Sequence, residues 1–123
     1  MMNGLTAIER LRDQVTPHLL ISEIRTIAAD ELLMSPCYQQ PSVAIHFTWK
    51  PDWPAVQALL PVIERELAPF GARPHWGKCF TMSSARLASL YEGRMEKFVQ
   101  LAKTYDPAGK FRNDFLNTNI FGS

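Results

Sequence analysis

What the chain lacks narrows it first. None of its apolar runs, in 123 residues, approaches the ~20 needed for a membrane-spanning helix. The start, Met1-Met2-Asn3-Gly4, is not a basic region followed by an apolar stretch, so no secretory signal is visible. Only two cysteines occur, Cys37 and Cys79. Two in a chain of this size build no disulfide framework, and they read as small packed hydrophobes in a reduced, cytoplasmic compartment. The glycines stand at 4, 71, 77, 93, 109 and 122, so neither GxGxxG nor a P-loop can be written. No GxSxG elbow is present. An excess of one charge is missing too. Thirteen Lys and Arg against twelve Asp and Glu leave +1, which gives no general electrostatic hold on nucleic acid or an anionic membrane. There is no repeat, low-complexity segment or Gly/Ser linker.

What remains is ordinary globular composition, 46% hydrophobic and 20% charged. The length allows one domain at most, since domains run to roughly 100–200 residues. Nine prolines punctuate it. Thr6 to Val15 reads as a helix with Ile8 and Leu11 on one face, closed by Pro17. Leu19 to Ala28 reads as a strand, rich in β-formers. Alternation puts Glu23 and Arg25 on one face and Leu20, Ser22 and Ile24 on the other. Val43 to Trp49 is a second strand: Val43, Ile45, Phe47 and Trp49 point one way, Ala44, His46 and Thr48 the other. Asp52 can cap a helix starting at Trp53-Pro54. Val56, Leu59, Leu60, Ile63 and Leu67 follow core-facing helical spacing. A bend is expected at Pro61, and an end at Pro69-Phe70-Gly71. Ala72 to Phe80 is expected to return as a third strand. Helices follow from Ser83 or Ser84 to Leu90 and from Gly93 to Lys103, then a turn at Asp106–Gly109. Asn113 to Phe121 is expected to add a last helical turn or two. The order predicts an α+β fold, a small, mostly antiparallel sheet with helices packed on one face.

Two constellations can carry chemistry. If the strands pair, Glu23, Arg25, His46 and Thr48 lie close together on one face. Such donors and acceptors suit a polyhydroxylated ligand. The alternative is a solvated face with an incidental ion pair, contributing about 0–1 kcal/mol. The second constellation is His75-Trp76-Gly77-Lys78. There Gly lets a backbone approach closely, Lys supplies a point charge for a developing oxyanion, and Trp stacks or packs. The alternative is a core Trp with a surface Lys. His18, His46, His75 and Glu23 lack recognisable metal-ligand spacing, and no metal site is expected.

The segments Ile21–Asp30, Leu33-Met34-Ser35-Pro36, Val43–Trp49, Ala72–Lys78 and Asp106–Asn113 together resemble the C-terminal part of FAD-dependent sugar-alcohol and aldonolactone oxidases. These comprise the alditol (xylitol) oxidases and D-arabinono-1,4-lactone oxidases of the vanillyl-alcohol oxidase superfamily. SEIRT, HFTW and RPHWGK in this order are specific as a set. The resemblance implies that Glu23, Arg25, Thr48 and Lys78 line a polyol pocket beside the flavin ring, with His75 also near the flavin. It implies hydride transfer from a terminal alcohol carbon to flavin, with O2 reduced to H2O2. Arg25 and Lys78 would be the catalytic pair that stabilises negative charge. The flavin does the electron chemistry and the protein supplies orientation.

The family's FAD-binding half is absent from this chain, which therefore reads as a cap or substrate-domain piece: a truncated frame, a split gene or an expressed fragment. Alone, it is expected to hold no FAD and to turn over little or nothing. Surface that would face the missing half, the Trp76 region included, should be exposed, and such patches drive association, a homodimer included. Two rival readings are a stand-alone polyol- or lactone-binding module and an inactive, dimerising remnant.

Overall fold

The computed structural model describes residues 2–122. Helix α1 (Met2–Arg10) gives way at Leu11 to the short α2 (Arg12–Val15), so the first helix starts earlier than its spacing suggests and is broken once. At the break Leu11 leaves helical dihedrals (φ −90°, ψ 3°), and its side chain is buried with Val15, Leu59 and Ile63. Pro17 sits in a 3-10 turn (Thr16–His18), and the chain becomes extended at Leu19.

Strands β1 (Leu19–Ile27) and β2 (Ser42–Trp49) form a two-stranded antiparallel sheet. Glu23 lies opposite His46, Ile24 opposite Ile45, and Ser22 opposite Phe47. Leu19 pairs with Trp49 but Ile21 with Thr48, so β1 carries one extra residue at Leu20. This bulge has a sequence-level cause. Without it Leu19 would share the face of Ile21, Glu23 and Arg25; with it Leu19 packs onto the first core beside Phe47 and Trp49. Those two rings stack at 5.1 Å and 9°.

The connection between the strands is organised by Asp30. Its backbone forms a bridge with the 37–39 stretch through Asp30 N to Cys37 O (3.2 Å) and Gln39 N to Asp30 O (2.8 Å). Its carboxylate accepts from the Leu32 amide (3.0 Å) and the Ser35 hydroxyl.

Asp52 caps α3 (Trp53–Leu67) by accepting from the Ala55 amide, with Pro54 in the first turn. The helix continues through Pro61, burying Val56, Leu59, Leu60 and Ile63, and ends in a 3-10 turn at Gly71, whose φ of +63° suits glycine. The first core thus lies between α1, α2, α3 and one face of the sheet.

A second core joins α4 (Ser84–Tyr91), α5 (Arg94–Tyr105), α6 (Asp114–Leu116) and a π-helical turn over Asn117–Phe121. Its buried members are Leu87, Tyr91, Met95 and Ile120. Capping chemistry sets the boundaries: Ser83 and Asn113 accept from the amides of Arg86 and Leu116, and Asp106 accepts from those of Lys110 and Phe111. Tyr91 is fully buried, and its hydroxyl has no hydrogen-bond partner among the described residues. Burial pushes this phenol up to about 12 against the opposing pull of Arg73 and Arg94, so it stays neutral. Glu64 on α3 links the two cores by accepting from the Thr81 amide and hydroxyl.

The α+β class and the antiparallel sheet agree with the sequence reading; the third strand at 72–80 does not. That segment forms no strand. Pro74 has no N–H to give to a ladder, and the Gly77 amide donates to His75 Nδ1 (3.0 Å) instead. Truncating Leu87, which is 0% exposed, to Ala should cost about 2–5 kcal/mol in denaturant unfolding, whereas Leu32→Ala, at 70% exposed, should change stability by less than about 0.5 kcal/mol.

Candidate active site

The outward face of the sheet gathers most of the residues that the sequence singled out. Facing pairs in an antiparallel sheet share a side, so Ile21, Glu23, Arg25, Ala44, His46 and Thr48 lie on one face, opposite the one that meets the helices. Arg25 Nη2 donates to Glu23 Oε2 at 2.6 Å. His46 Nδ1 lies 3.0 Å from the same oxygen. A carboxylate only accepts, so Nδ1 carries the hydrogen of this contact, and in the neutral tautomer Nε2 is then an acceptor. One oxygen of Glu23 thus holds two partners, and Oε1 is left for a third group. Arg25 is the most open of the three, with its side chain 65% exposed.

Electrostatics follow the geometry. The hydrogen bond from His46, then the positive charge of Arg25, hold the Glu23 carboxyl below its ordinary value of 4.5. Sequence alone left the role of His46 open. The cross-strand pairing to Glu23 is the signal that assigns it to this cluster, and it needs the register, not only the alternation.

His75 and Lys78 sit elsewhere in the fold, on a turn closed by Lys78 N to His75 O (3.0 Å). His75, Gly77, Lys78 and Cys79 are exposed. Among the described residues the Lys78 ammonium makes no ion pair or hydrogen bond, and none joins this turn to the Glu23 cluster. Trp76 departs from the expected exposure. Its indole is half-buried against Tyr91 (centroids 5.0 Å) and Phe80 (6.3 Å), and its Nε1–H donates to Met34 O at 2.8 Å. Cys79 departs in the other direction: Cys37 is buried as expected, but Cys79 is exposed because the turn that carries it lies on the surface. Among the described residues no three His, Cys, Asp or Glu side chains come together to hold a metal ion.

The polar face is an open platform. Two concavities, of about 330 and 350 Å³, lie away from it. One is near Asp106 and Arg112; the other lies between α1 and the helix-facing side of the sheet, at Ser22, Ile24 and Ile45. Among the described residues no helix is long and apolar enough to cross a membrane.

Comparison with known proteins bears on this platform. The family model described as D-arabinono-1,4-lactone oxidase matches residues 3–119. An alditol oxidase of Streptomyces sp. is 43% identical over 121 residues, which is 98% of this chain and 29% of that protein. An L-gulonolactone oxidase of Scyliorhinus torazame is 30% identical, covering 94% of this chain and 28% of its own length. The L-gulonolactone oxidase of Mus musculus is 28% identical, over 91% and 26%. The chain thus spans less than a third of the length of these relatives.

The lowered Glu23 value sets a pH dependence. A carboxyl whose folded value is depressed adds stability that is complete above 4.5, its ordinary value, and is lost as pH falls through the folded value. Glu23→Gln should therefore be less stable than the parent at neutral pH, and the two Tm curves should converge on acidification. Thermal unfolding across the carboxylate range checks this, and a Tm difference independent of pH would contradict it.

Proposed function

Because the chain belongs to the D-arabinono-1,4-lactone oxidase family, we propose that it forms the substrate side of a FAD-dependent oxidase acting on an alditol or an aldonolactone. The observation that carries this reading is the shared Glu23 oxygen, which fixes Arg25 and His46 side by side on an open polar face. A polyhydroxylated ligand presents several hydroxyls at once. Glu23 Oε1 and His46 Nε2 accept from them, the remaining Arg25 N–H groups donate to their oxygens, and the Thr48 hydroxyl does either.

The residues here contain no glycine pattern that would cradle the cofactor's phosphates, so the family's FAD would be held by chain outside this sequence. What fits the flavin is the cationic donor set. Arg25 and Lys78 suit negative charge at a ring edge or on the reacting oxygen, and His75 flanks Lys78. When bound, the flavin would supply a hydride acceptor, and dioxygen would reoxidise the reduced flavin while being reduced itself to H2O2. The protein's part is to hold the carbinol carbon against that acceptor and to stabilise the oxygen from fixed donors, which need no reorganisation as charge develops. Lys78, with three donors and no ion pair or hydrogen bond among the described residues, suits this role.

Leu20, Ile21 and Ile24 of β1 are more than half exposed. We assign this uncovered strand to contact with the flavin-binding half, or with a second copy of the chain where that half is missing. Alone, the chain would hold no FAD and turn over little. Both cysteines are free thiols, as a cytoplasmic compartment would keep them.

The test is to exchange this chain for the matching 29% of Streptomyces alditol oxidase and assay polyol-dependent H2O2 release. The chimera should be yellow and active, and Lys78→Ala or Arg25→Ala should each lower kcat/KM by more than about tenfold. Near-parental rates in both variants would remove these roles. A chimera that binds polyol without oxidising it would favour a non-catalytic binding module instead.

A further inference from the structure

The stretch joining β1 to β2 offers three backbone carbonyls to three side chains from distant parts of the sequence. Arg94 Nη1 donates to Leu33 O (3.1 Å), Trp76 Nε1 to Met34 O (2.8 Å) and Arg73 Nη1 to Pro36 O (3.0 Å). Arg94 is 8% exposed and also donates to Leu90 O (3.2 Å). Its guanidinium lies over the rings of Tyr38 (4.7 Å) and Tyr91 (5.0 Å), and that of Arg73 lies 5.7 Å from Tyr91. Neither arginine has a carboxylate partner among the described residues. A buried guanidinium without a counter-ion is costly, and here both the buried Arg94 and the half-buried Arg73 donate to backbone carbonyls, one each in this short loop.

That loop is tied down at its base. The Asp30 bridge to 37–39 ties it to the end of β1, five residues beyond Arg25. A continuous path therefore runs from the Glu23 cluster along β1, through the Asp30 bridge, to the carbonyls of 33, 34 and 36, and on through Arg73 and Trp76 to the turn at 75–78. The geometry points to Arg73, Trp76 and Arg94 as positioning residues that fasten this turn, and with it the Lys78 ammonium, at a fixed place relative to the polar face of the sheet. This explains why a half-buried indole precedes an exposed lysine by two residues: the indole anchors the turn and the lysine is what the turn presents. A site whose supporting groups are loose by about 1 Å loses most of its catalytic effect, so such fastening matters to rate rather than to folding alone.

The inference rests on the role given to Lys78 above, and two arms separate it from that role. In the isolated chain, backbone 15N relaxation reads the order of Gly77 and Lys78. Trp76→Phe keeps an aromatic ring but removes the donor to Met34; Arg73→Lys keeps the charge but loses the planar fork. Each variant should lower the heteronuclear NOE at 77 and 78 while leaving the amides of Glu23, Ile24, Ile45 and His46 unchanged. Unchanged order at 77 and 78 in both variants, or equal loss throughout the sheet, would overturn the inference. In the active chimera, Trp76→Phe should lower kcat at least threefold with KM nearly unaltered, and should have no further effect once Lys78 is Ala. An equal loss in the Lys78→Ala background would also overturn it. An inactive parent chimera would count against the oxidase reading only, and the relaxation arm would then decide the fastening by itself.

Discussion

Two strands can turn one face to a core and must leave the other to something else, and the register between them decides which residues go where. Here that register is β1 against β2 with one extra residue at Leu20. It sends Leu19, Phe47 and Trp49 to the helices and leaves Glu23, Arg25, His46 and Thr48 together outside. A slip by one residue would invert both sets. The hydrophobic packing of α1, α2 and α3 therefore does more than stabilise: it fixes the arrangement in which a single carboxylate oxygen meets both an arginine and a histidine.

In the fastening proposed above, the second core does the corresponding work for Lys78. It has no strand to present Lys78. Instead it buries Tyr91, lays two guanidiniums over or beside that ring, and holds Trp76 against it. The same groups reach the loop between the strands. The two halves of the fold are thus joined through side chain to backbone bonds and the Glu64–Thr81 contacts, not through a shared sheet.

Much of this could be read in the amino-acid sequence, for identifiable reasons. The α3 helix announced itself through Asp52, Pro54 and a run of apolar residues at helical spacing, all local signals. The polar face followed from strict alternation in Val43–Trp49. What could not be read depended on contacts distant in sequence. The bulge at Leu20 depends on what Leu19 must bury, and alternation counted along β1 alone cannot show it. The extended look of 72–80 was misleading, because Pro74 has no N–H for a ladder and His75 Nδ1 takes the Gly77 amide. The tie between His46 and Glu23 needed the pairing register, and the place of Lys78 needed the tertiary fold. Resemblance to the oxidases supplied their joint relevance, which spacing alone left open.

The proposal makes the open polar platform, on a chain under a third the length of its relatives, one half of a binding site. The most direct measurement is a titration of the flavin-loaded protein carrying this chain with xylitol or a sugar lactone, followed by amide and side-chain NMR shifts. Perturbations should concentrate at Glu23, Arg25, His46, Thr48 and Lys78. Saturable binding that leaves these five unmoved and shifts residues around either concavity instead would contradict the proposal.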